Sequence, residues 1–302
     1  MFRKLFLYGA GYRGGQPKLG VELAPYYFRN YGLKKRLEKR LGYHVMDGGN
    51  IKIPKNTETN PAYSLDDIGY YNNVLYQTLL PHLKTKTPCL TLGGDHSIAI
   101  GSVSATLKAY PNAAVVWVDA HADINTMDTS PSGNLHGMPL AYLLGLESHL
   151  VDFGWMNPSL KGNSLVYFGL RDIDRPEWDH IKDLDISYQT KSDMDQKGVV
   201  ESVTEALSHI DPKRPIHLSF DIDSLDPSIA PSTGTSVENG LTMDQTLTLI
   251  RTLKSEGREI VNMDLVEVNP MIFENFESKS LGHGVGMTLE SGISIIEEVF
   301  KK

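Results

Sequence analysis

Short apolar runs alternate with stretches of helical periodicity along nearly the whole chain, and this alternation constrains the fold more than any other feature of the sequence. The apolar runs predict eight β-strands, at residues 4–8, 43–46, 89–92, 114–118, 165–168, 186–189, 216–220 and 260–266. Helical patterns lie near residues 25–41, 65–84, 97–109, 137–146, 192–209, 242–256 and 285–300. Continuous apolar strands separated by helices are typical of a buried, mainly parallel sheet with helices on both faces. The sequence therefore predicts an α/β fold.

One domain accounts for this pattern. The chain has 302 residues, which suits a single large α/β domain with an ample core. It contains no internal repeat and no low-complexity tract that would separate two units. The stretch 48–63, with two prolines and many Asn and Thr residues, predicts a surface loop rather than a linker, and Ser64-x-x-Asp67 predicts the capped start of the next helix. We expect residues 1–302 to form one domain.

The composition argues against several classes of protein. The formal net charge is −8 and no basic run exceeds a few residues, so we expect no nucleic-acid or anionic-membrane partner. The N-terminus has no apolar signal segment and no apolar run approaches the length of a membrane span, so we expect neither secretion nor a membrane anchor. The only cysteine, Cys89, excludes an internal disulfide and fits a reducing compartment, which favours a cytoplasmic protein.

The first apolar run is followed by Gly9-Ala10-Gly11-Tyr12-Arg13-Gly14, which has the spacing of a dinucleotide-binding loop. Such a loop binds a pyrophosphate only if its last glycine opens a helix, and here Pro17 and Gly20 interrupt the residues that follow. The next acidic residue at a strand end, Asp47, lies 33 residues beyond Gly14, whereas about 20 are expected for a ribose contact. The segment is therefore interpreted as a glycine-rich loop between a strand and a helix.

Polar side chains follow three of the predicted strands at the points where these strands end. They are His96 after the third run, Asp119, His121 and Asp123 after the fourth, and Asp221 and Asp223 after the seventh. In an open parallel sheet these ends meet along one edge, where ligands bind. A single histidine near a turn, or an aspartate before a proline, is common in loops and would indicate little by itself. Together, however, four carboxylates at one edge would repel one another unless cations neutralise them.

Two divalent cations would balance the charge of the four aspartates. The set is rich in oxygen, contains two imidazoles and lacks a thiolate, so it suits Mn²⁺ better than a structural Zn²⁺. A water shared by two such ions becomes a hydroxide nucleophile near neutral pH. The sequence thus predicts a hydrolytic centre with two Mn²⁺ ions.

Five motifs strengthen this prediction: GGDHS, DAHADIN, SGNLHG, SFDIDSLDP and VEVNP, in this order. In sequence and spacing they resemble the arginase branch of the ureohydrolases, and the resemblance extends from Gly20 to the C-terminal helical pattern. It implies a three-layer α/β/α fold around an eight-stranded parallel sheet, two Mn²⁺ ions, and hydrolysis of L-arginine to L-ornithine and urea. It also implies that the loop Gly9–Gly14 lies beside the mouth of the active site.

The resemblance assigns roles to individual residues. One ion would be held by His96, Asp119, Asp123 and Asp221, and the other by His121, Asp223 and the bridging Asp119 and Asp221. Glu267 would pair with the substrate guanidinium and orient it, while Asp123 would take the proton of the metal-bridging hydroxide toward the leaving amine. His136 would shuttle protons, a role that suits a near-neutral pKa.

The resemblance also favours L-arginine over agmatine. Amide and hydroxyl groups of the segment after the fourth strand, Asn125, Ser130, Ser132 and Asn134, would bind the α-carboxylate. Asp174 would receive the α-ammonium with Glu177 close behind, and Thr235 would lie near the guanidinium.

Three departures from the family pattern leave other questions open. The segment after Thr235 reads Ser236-Val237-Glu238, Asp244-Gln245 replaces an Arg-Glu pair that joins subunits in many arginases, and residues 278–287 are unusually rich in glycine and serine. The resemblance implies a homotrimer, and the departures concern its contacts and the reaction rate. The alternative function is a regulatory or scaffold subunit that binds arginine or a partner enzyme with little turnover; the intact set of metal ligands argues against it.

Overall fold

In the computed structural model, which describes residues 3–52, 65–148, 154–156, 159–255, 257–272 and 283–302, eight strands form one sheet. The strands are β1 Arg3–Ala10, β2 Tyr43–Asn50, β3 Cys89–Gly93, β4 Ala114–Val118, β5 Leu165–Leu170, β6 Ser187–Thr190, β7 Ile216–Asp221 and β8 Ile260–Val266. Their order is β2-β1-β3-β8-β7-β4-β5-β6, and every neighbouring pair is parallel. All eight predicted strands are therefore confirmed.

Ten α-helices in the described part of the chain cover both faces of the sheet. They are α1 Ala24–Asn30, α2 Leu33–Leu41, α3 Leu65–Lys84, α4 Ala99–Ala109, α5 Pro139–Leu144, α6 Arg175–Asp183, α7 Lys191–Lys197, α8 Val199–Ala206, α9 Met243–Ser255 and α10 His283–Phe300. None of these helices combines the length and apolarity that crossing a membrane requires.

Alternation of buried side chains along the strands produces the three layers. In β4, Val116 and Val118 pack in the core that contains residues of α1, α2 and α7–α10, whereas Val115 and Trp117 pack against α4, α5 and α6. Successive side chains of a strand point to opposite faces, so a fully apolar strand fills both cores at once. The predicted three-layer α/β/α architecture is confirmed.

The helices differ from the sequence prediction in three places. The pattern at 25–41 divides into α1 and α2 at Gly32, and the pattern at 192–209 divides into α7 and α8 at Gly198; both glycines have positive φ values, 93° and 86°. Apolar periodicity continues across each glycine, so the pattern alone does not reveal the break. Helix α6 was not predicted, although Asp174 and Glu177 form a reciprocal capping box at its start.

The loop predicted at 48–63 begins later than expected, because residues 48–50 complete β2. Residues 53–64 lie outside the described part, as does Ser64 of the predicted cap. The Gly9–Gly14 segment, predicted as a loop between a strand and a helix, leaves β1 and leads through a short 3₁₀ turn at Val21–Leu23 into α1, which confirms that prediction.

The same loop packs tightly against the centre of the sheet. Asp95 Oδ2 accepts a hydrogen bond of 2.7 Å from Gly15 N, and Gly15 O accepts one of 3.0 Å from His136 N. A Cβ at Gly94 would lie 1.8 Å from the Tyr12 carbonyl oxygen, so only glycine fits there. The loop thus helps to shape the carboxyl edge of the four central strands, β3, β8, β7 and β4.

Candidate metal centre and active site

His96 is the focus of three carboxylates at this edge. It opens a 3₁₀ turn directly after β3. Its Nδ1 lies 3.0 Å from Asp119 Oδ2, 3.0 Å from Asp123 Oδ2 and 3.2 Å from Asp221 Oδ2. This nitrogen is buried and makes no hydrogen bond of good geometry with any described group. Burial lowers the pKa of His96, but the carboxylates outweigh it and raise that pKa well above its ordinary value.

A second group of ligands adjoins the first and shares Asp119 with it. His121 Nδ1 lies 3.5 Å from Asp119 Oδ1 and 3.3 Å from Asp223 Oδ2. Within each group, His96–Asp119–Asp221 and Asp119–His121–Asp223, the potential ligand atoms all lie within 4.8 Å of one another. Five of the six residues predicted from the sequence thus form two adjoining sets around one shared carboxylate, and the sixth, Asp123, approaches His96 of the first set.

The charges of these carboxylates require compensation. Burial and the neighbouring Asp223 and Asp119 raise the pKa of Asp221 well above its ordinary value. Burial and Asp119 likewise raise the pKa of Asp123 to about 6. The pKa of Asp119 is instead lowered, because the neighbouring imidazoles of His121 and His96 outweigh its burial. Buried carboxylates that crowd around an imidazole nitrogen without a partner are a donor set that fits divalent cations, so the residues present fit a centre for two metal ions.

Two site residues have backbone conformations that are costly for residues other than glycine. Asp123 has φ 52° and Glu267 has φ 62°. Such left-handed conformations cost about 1–3 kcal/mol each and are found mainly where function requires them. Both carboxylates face His96: Asp123 Oδ2 approaches its ring, and Glu267 Oε1 accepts a hydrogen bond of 2.9 Å from its backbone N–H. The strain therefore lies where the chain directs a carboxylate toward the metal centre.

The buried Glu267 forms an ion pair with His136, which is partly exposed. Glu267 follows β8 directly, and its Oε1 lies 3.0 Å from His136 Nδ1. Burial lowers the pKa of His136, but Glu267 and Asp123 outweigh it and raise that pKa to about 9. The pKa of Glu267 is correspondingly lowered by His136 in spite of burial. His136 is thus more basic here than the near-neutral imidazole that the sequence suggested, because the sequence does not reveal this pairing.

A cavity of about 140 Å³ opens above the metal-ligand groups. It is lined by His121, Asp123, Asn125, Ser130, Pro131, Ser132, His136, Gly137, Asp172, Asp174, Glu177, Asp221 and Thr235. Six of the seven residues predicted to bind substrate are in this lining. The seventh, Asn134, lies in the same loop but is not part of the lining, and its backbone N–H donates to Ser132 Oγ at 3.2 Å.

The predicted ammonium-binding residues also have structural contacts. Asp174 is the N-cap of α6, and its Oδ2 accepts a hydrogen bond of 3.0 Å from Asn125 Nδ2. Glu177 accepts hydrogen bonds from the backbone N–H groups of Asp174, at 3.0 Å, and Ile124, at 3.1 Å. Burial raises the pKa of Glu177 to about 7. Helix α6 is therefore joined through its first turn to the loop that follows β4.

The sequence did not predict a buried polar network beneath His96. Ser219 Oγ lies 2.9 Å from His96 Nε2 and donates to Asp264 Oδ2 at 2.8 Å. Asp264 Oδ1 lies 3.1 Å from His217 Nε2, and His217 lowers the pKa of Asp264 in spite of its burial. The sequence feature that could have indicated this network is the presence of polar residues at alternate positions of the otherwise apolar strands β7 and β8. This network fixes the orientation of the His96 ring from the side opposite the carboxylates.

Comparisons with known proteins agree with this geometry. The sequence profile of the arginase family matches residues 3–299. Hepatic arginase of Aquarana catesbeiana is 38% identical, with 99% of this chain and 93% of that protein covered. Mitochondrial arginase-2 of Homo sapiens is 38% identical over 96% of this chain and 87% of its own length. The crystal structure of arginase from Bacillus subtilis superposes with a TM-score of 0.87 at 34% identity, covering 99% of each chain.

Proposed function

From the premise that this chain belongs to the arginase family and is an arginase hydrolase, we propose that it converts L-arginine and water to L-ornithine and urea with two bound Mn²⁺ ions. The observation that carries the proposal is the pair of adjoining ligand groups that share Asp119. Manganese is favoured because the donors are carboxylate oxygens and imidazole nitrogens, with no thiolate among them.

The ligand assignment follows the two groups. His96, Asp119, Asp123 and Asp221 are proposed to hold one ion, because the three carboxylates converge on His96 Nδ1. His121 and Asp223, together with Asp119 and Asp221, are proposed to hold the other. Asp221 Oδ1 accepts a 2.8 Å hydrogen bond from Asp223 N, which supports a role of Asp221 between the two groups.

The protein's own side chains would bind the guanidinium and move the proton. Bound divalent ions supply a water of lowered pKa that can attack the guanidinium carbon. Glu267 is proposed to pair its carboxylate with the cationic guanidinium and so to orient the scissile C–N bond. Asp123 is proposed to take a proton from the attacking water and to return it to the departing ornithine amine. His136, paired with Glu267, is proposed to exchange protons between the cavity and solvent.

Substrate selection is assigned to the rim of the cavity. Asp174, supported by Glu177, is proposed to bind the α-ammonium of arginine, and hydroxyl and amide groups of Asn125, Ser130, Ser132 and Asn134 its α-carboxylate. Thr235, whose Oγ1 donates to Asp223 Oδ2 at 2.8 Å, would lie close to the guanidinium. We also propose that the protein is cytoplasmic, forms a homotrimer and has no membrane or nucleic-acid partner. The single buried Cys89 and the net charge of −8 support the cytoplasmic assignment and the lack of a nucleic-acid partner.

Metal content and urea release test the proposal together. After loading with Mn²⁺ and desalting, elemental analysis is expected to find two ions per chain, and the loaded protein is expected to release urea from arginine. Asp221→Ala should lose full occupancy of both ions and nearly all activity, because it removes a carboxylate of both proposed sets. Asp179→Ala, on the exposed side of α6, is the control and should leave both unchanged.

Two results would contradict the proposal. Fewer than two ions in the unmodified protein would remove the binuclear centre. Two bound ions without urea release would instead favour the arginine-binding regulatory protein.

A further inference from the structure

Arg171, one residue beyond β5, holds three segments of the carboxyl edge together through main-chain carbonyls. Six carbonyl oxygens lie within hydrogen-bond distance of its side chain: Gly169 at 3.3 Å, Asp223 at 2.7 Å, Ser224 at 3.2 Å, Leu225 at 3.4 Å, Val237 at 2.8 Å and Glu238 at 3.2 Å. Nη2 shares its two N–H groups among three of them, Asp223, Leu225 and Val237. A guanidinium has five N–H donors in a fixed plane, so it can serve several carbonyls at once, whereas an ammonium acts as a point charge.

The segments that Arg171 contacts carry one half of the metal centre. The carbonyls at 223–225 belong to the turn that positions Asp223, and those at 237–238 follow Thr235, which donates to Asp223 Oδ2. The backbone N–H of Arg171 donates to the Ala120 carbonyl at 2.9 Å, between Asp119 and His121. In the part of the chain that the structure describes, none of its hydrogen bonds reaches the turn that carries His96.

The positive charge of Arg171 also lies close to the carboxylates of the Asp119–His121–Asp223 group. Burial lowers the pKa of the guanidinium in spite of Asp223 and Asp119, which act in the opposite direction. A guanidinium stays charged in proteins, so Arg171 is a cation beside the buried carboxylates. It partly compensates their repulsion without occupying a ligand atom, because all its side-chain hydrogen bonds are made to carbonyls.

We propose that Arg171 is a positioning residue for the Asp119–His121–Asp223 group: it fixes the turn of Asp223 and the loop of Thr235 so that this group can hold its ion. The inference rests on the proposed function, since it requires two metal ions. Groups around metal ligands usually change metal affinity by about 10- to 100-fold when they are removed. An effect restricted to one of the two ions distinguishes positioning from general stabilisation.

Arg214 is a matched control at the opposite edge of the sheet. It also donates to main-chain carbonyls, of Asn112 at 2.6 Å and Ala113 at 3.1 Å, and to Ser164 Oγ at 2.7 Å. These acceptors all precede strands, so Arg214 lies at the amino edge, away from the metal centre. Arg214→Lys should therefore weaken the fold in a similar way without changing metal binding.

The experiment is a titration of Mn²⁺ into metal-free protein. Binding is measured by isothermal calorimetry and by the electron paramagnetic resonance signal of free Mn²⁺. The unmodified chain is expected to bind two ions. Arg171→Lys should bind one ion with little change and the other about 10- to 100-fold more weakly. Arg214→Lys should bind both ions as the unmodified protein does, even if its melting temperature falls.

Each outcome decides a separate point. If the unmodified chain binds fewer than two ions, the proposed function fails. If it binds two and Arg171→Lys binds both equally well, or loses both equally, only the role of Arg171 is overturned. Should Arg171→Lys not fold, Arg171→Gln, which keeps two N–H donors, replaces it in the same titration. If neither folds, Arg171 is required for the whole domain and the inference is wrong.

Discussion

At the scale of single residues, Asp174 combines two roles that one substitution can separate. It caps α6 and lines the cavity. Asparagine caps a helix as well as aspartate does, whereas alanine costs about 1 kcal/mol. Asp174→Asn should therefore keep the fold but lose the negative charge that binds the α-ammonium. We expect a lower kcat/KM for arginine, equivalent to a loss of about 1.5–3 kcal/mol of transition-state stabilisation. Steady-state urea assays measure this change, and the Mn²⁺ content should stay constant.

The same site predicts discrimination against agmatine, which lacks the α-carboxylate. A buried site built for such a group rejects an analogue without it by about 10⁴, but this rim is open to water, so we expect a preference for arginine of about 10²–10³ in kcat/KM. Similar kcat/KM values for the two substrates in the unmodified protein would assign the chain to agmatine-type chemistry. Unchanged kinetics in Asp174→Asn would remove Asp174 from the site.

The sequence predicted the residues that meet at the edge but not the contacts that hold them. His96, Asp119 and Asp221 directly follow or end strands, so parallel pairing alone brings them together. The pair of His217 and Asp264 was not predicted, because its members are 47 positions apart and meet only when β7 and β8 become neighbours. Arg171 was likewise overlooked, since main-chain carbonyls as acceptors have no signature in the sequence.

At the scale of elements, an ion pair joins α2 to the last helix. Arg36 donates to both oxygens of Glu297, at 3.0 and 2.7 Å, and to Glu290 at 2.7 Å. Arg36→Met should lower the free energy of unfolding at neutral pH by about 1–2 kcal/mol, because a half-buried bidentate pair contributes more than an exposed one. Arg251→Met, whose arginine pairs with Glu298 on the same helix but is half exposed, is the control and should cost less than about 0.5 kcal/mol.

The pH dependence of this effect has a definite sign. Burial raises the pKa of Glu297, but Arg36 outweighs it and holds that pKa below its ordinary value. The folded state therefore binds the proton less readily than the unfolded state, so the stabilisation is complete above the ordinary pKa, about 4.3, and is lost as the pH falls through the lowered value. The melting temperatures of the unmodified protein and Arg36→Met should converge as the pH falls through this lowered pKa. A constant difference across this range would contradict the pairing.

The strands and helices could be predicted from the sequence where burial alone determines the pattern of apolar residues. Strands β3, β4, β5, β7 and β8 are buried along their whole length, so their continuous apolar runs identified them directly. The outer strands β2 and β6 are partly exposed and less apolar, and their bounds differ from the predicted ones. Helix boundaries at Gly32 and Gly198 depend on positive φ values, and α6 depends on a capping box with only one fully buried aliphatic residue, Ile181. The two helix breaks and the start of α6 therefore depend on local geometry and capping, which the pattern of apolar residues does not show.

At the scale of the whole molecule, the sheet order supports our proposal that residues 1–302 form one domain. β8, near the end of the chain, lies between β3 and β7, and α10 packs against α2. Neither half of the chain can therefore complete its part of the sheet without the other. The site depends on the same interleaving, since its ligands follow β3, β4 and β7 while Glu267 follows β8.

The surface between α8 and α9 is the place where we expect copies of the chain to meet. A groove of about 720 Å³ there includes Val200, Asp244 and Gln245, and Val200 is 57% exposed. Gln245 Nε2 donates to Asp195 Oδ1 at 2.8 Å within the same chain. An exposed valine beside a groove still offers apolar surface to a neighbouring copy.

We therefore predict a homotrimer of about 100 kDa, three times the chain mass of 33.5 kDa, that depends on this surface. Val200→Arg would place a charge where apolar burial is needed, so light scattering at micromolar concentration should report a smaller assembly. Tyr26→Arg, at an exposed position on α1, should leave the mass unchanged because it lies outside the groove. A monomeric unmodified protein would overturn the trimer. A trimer that persists in Val200→Arg would instead place the interface on another face of the molecule.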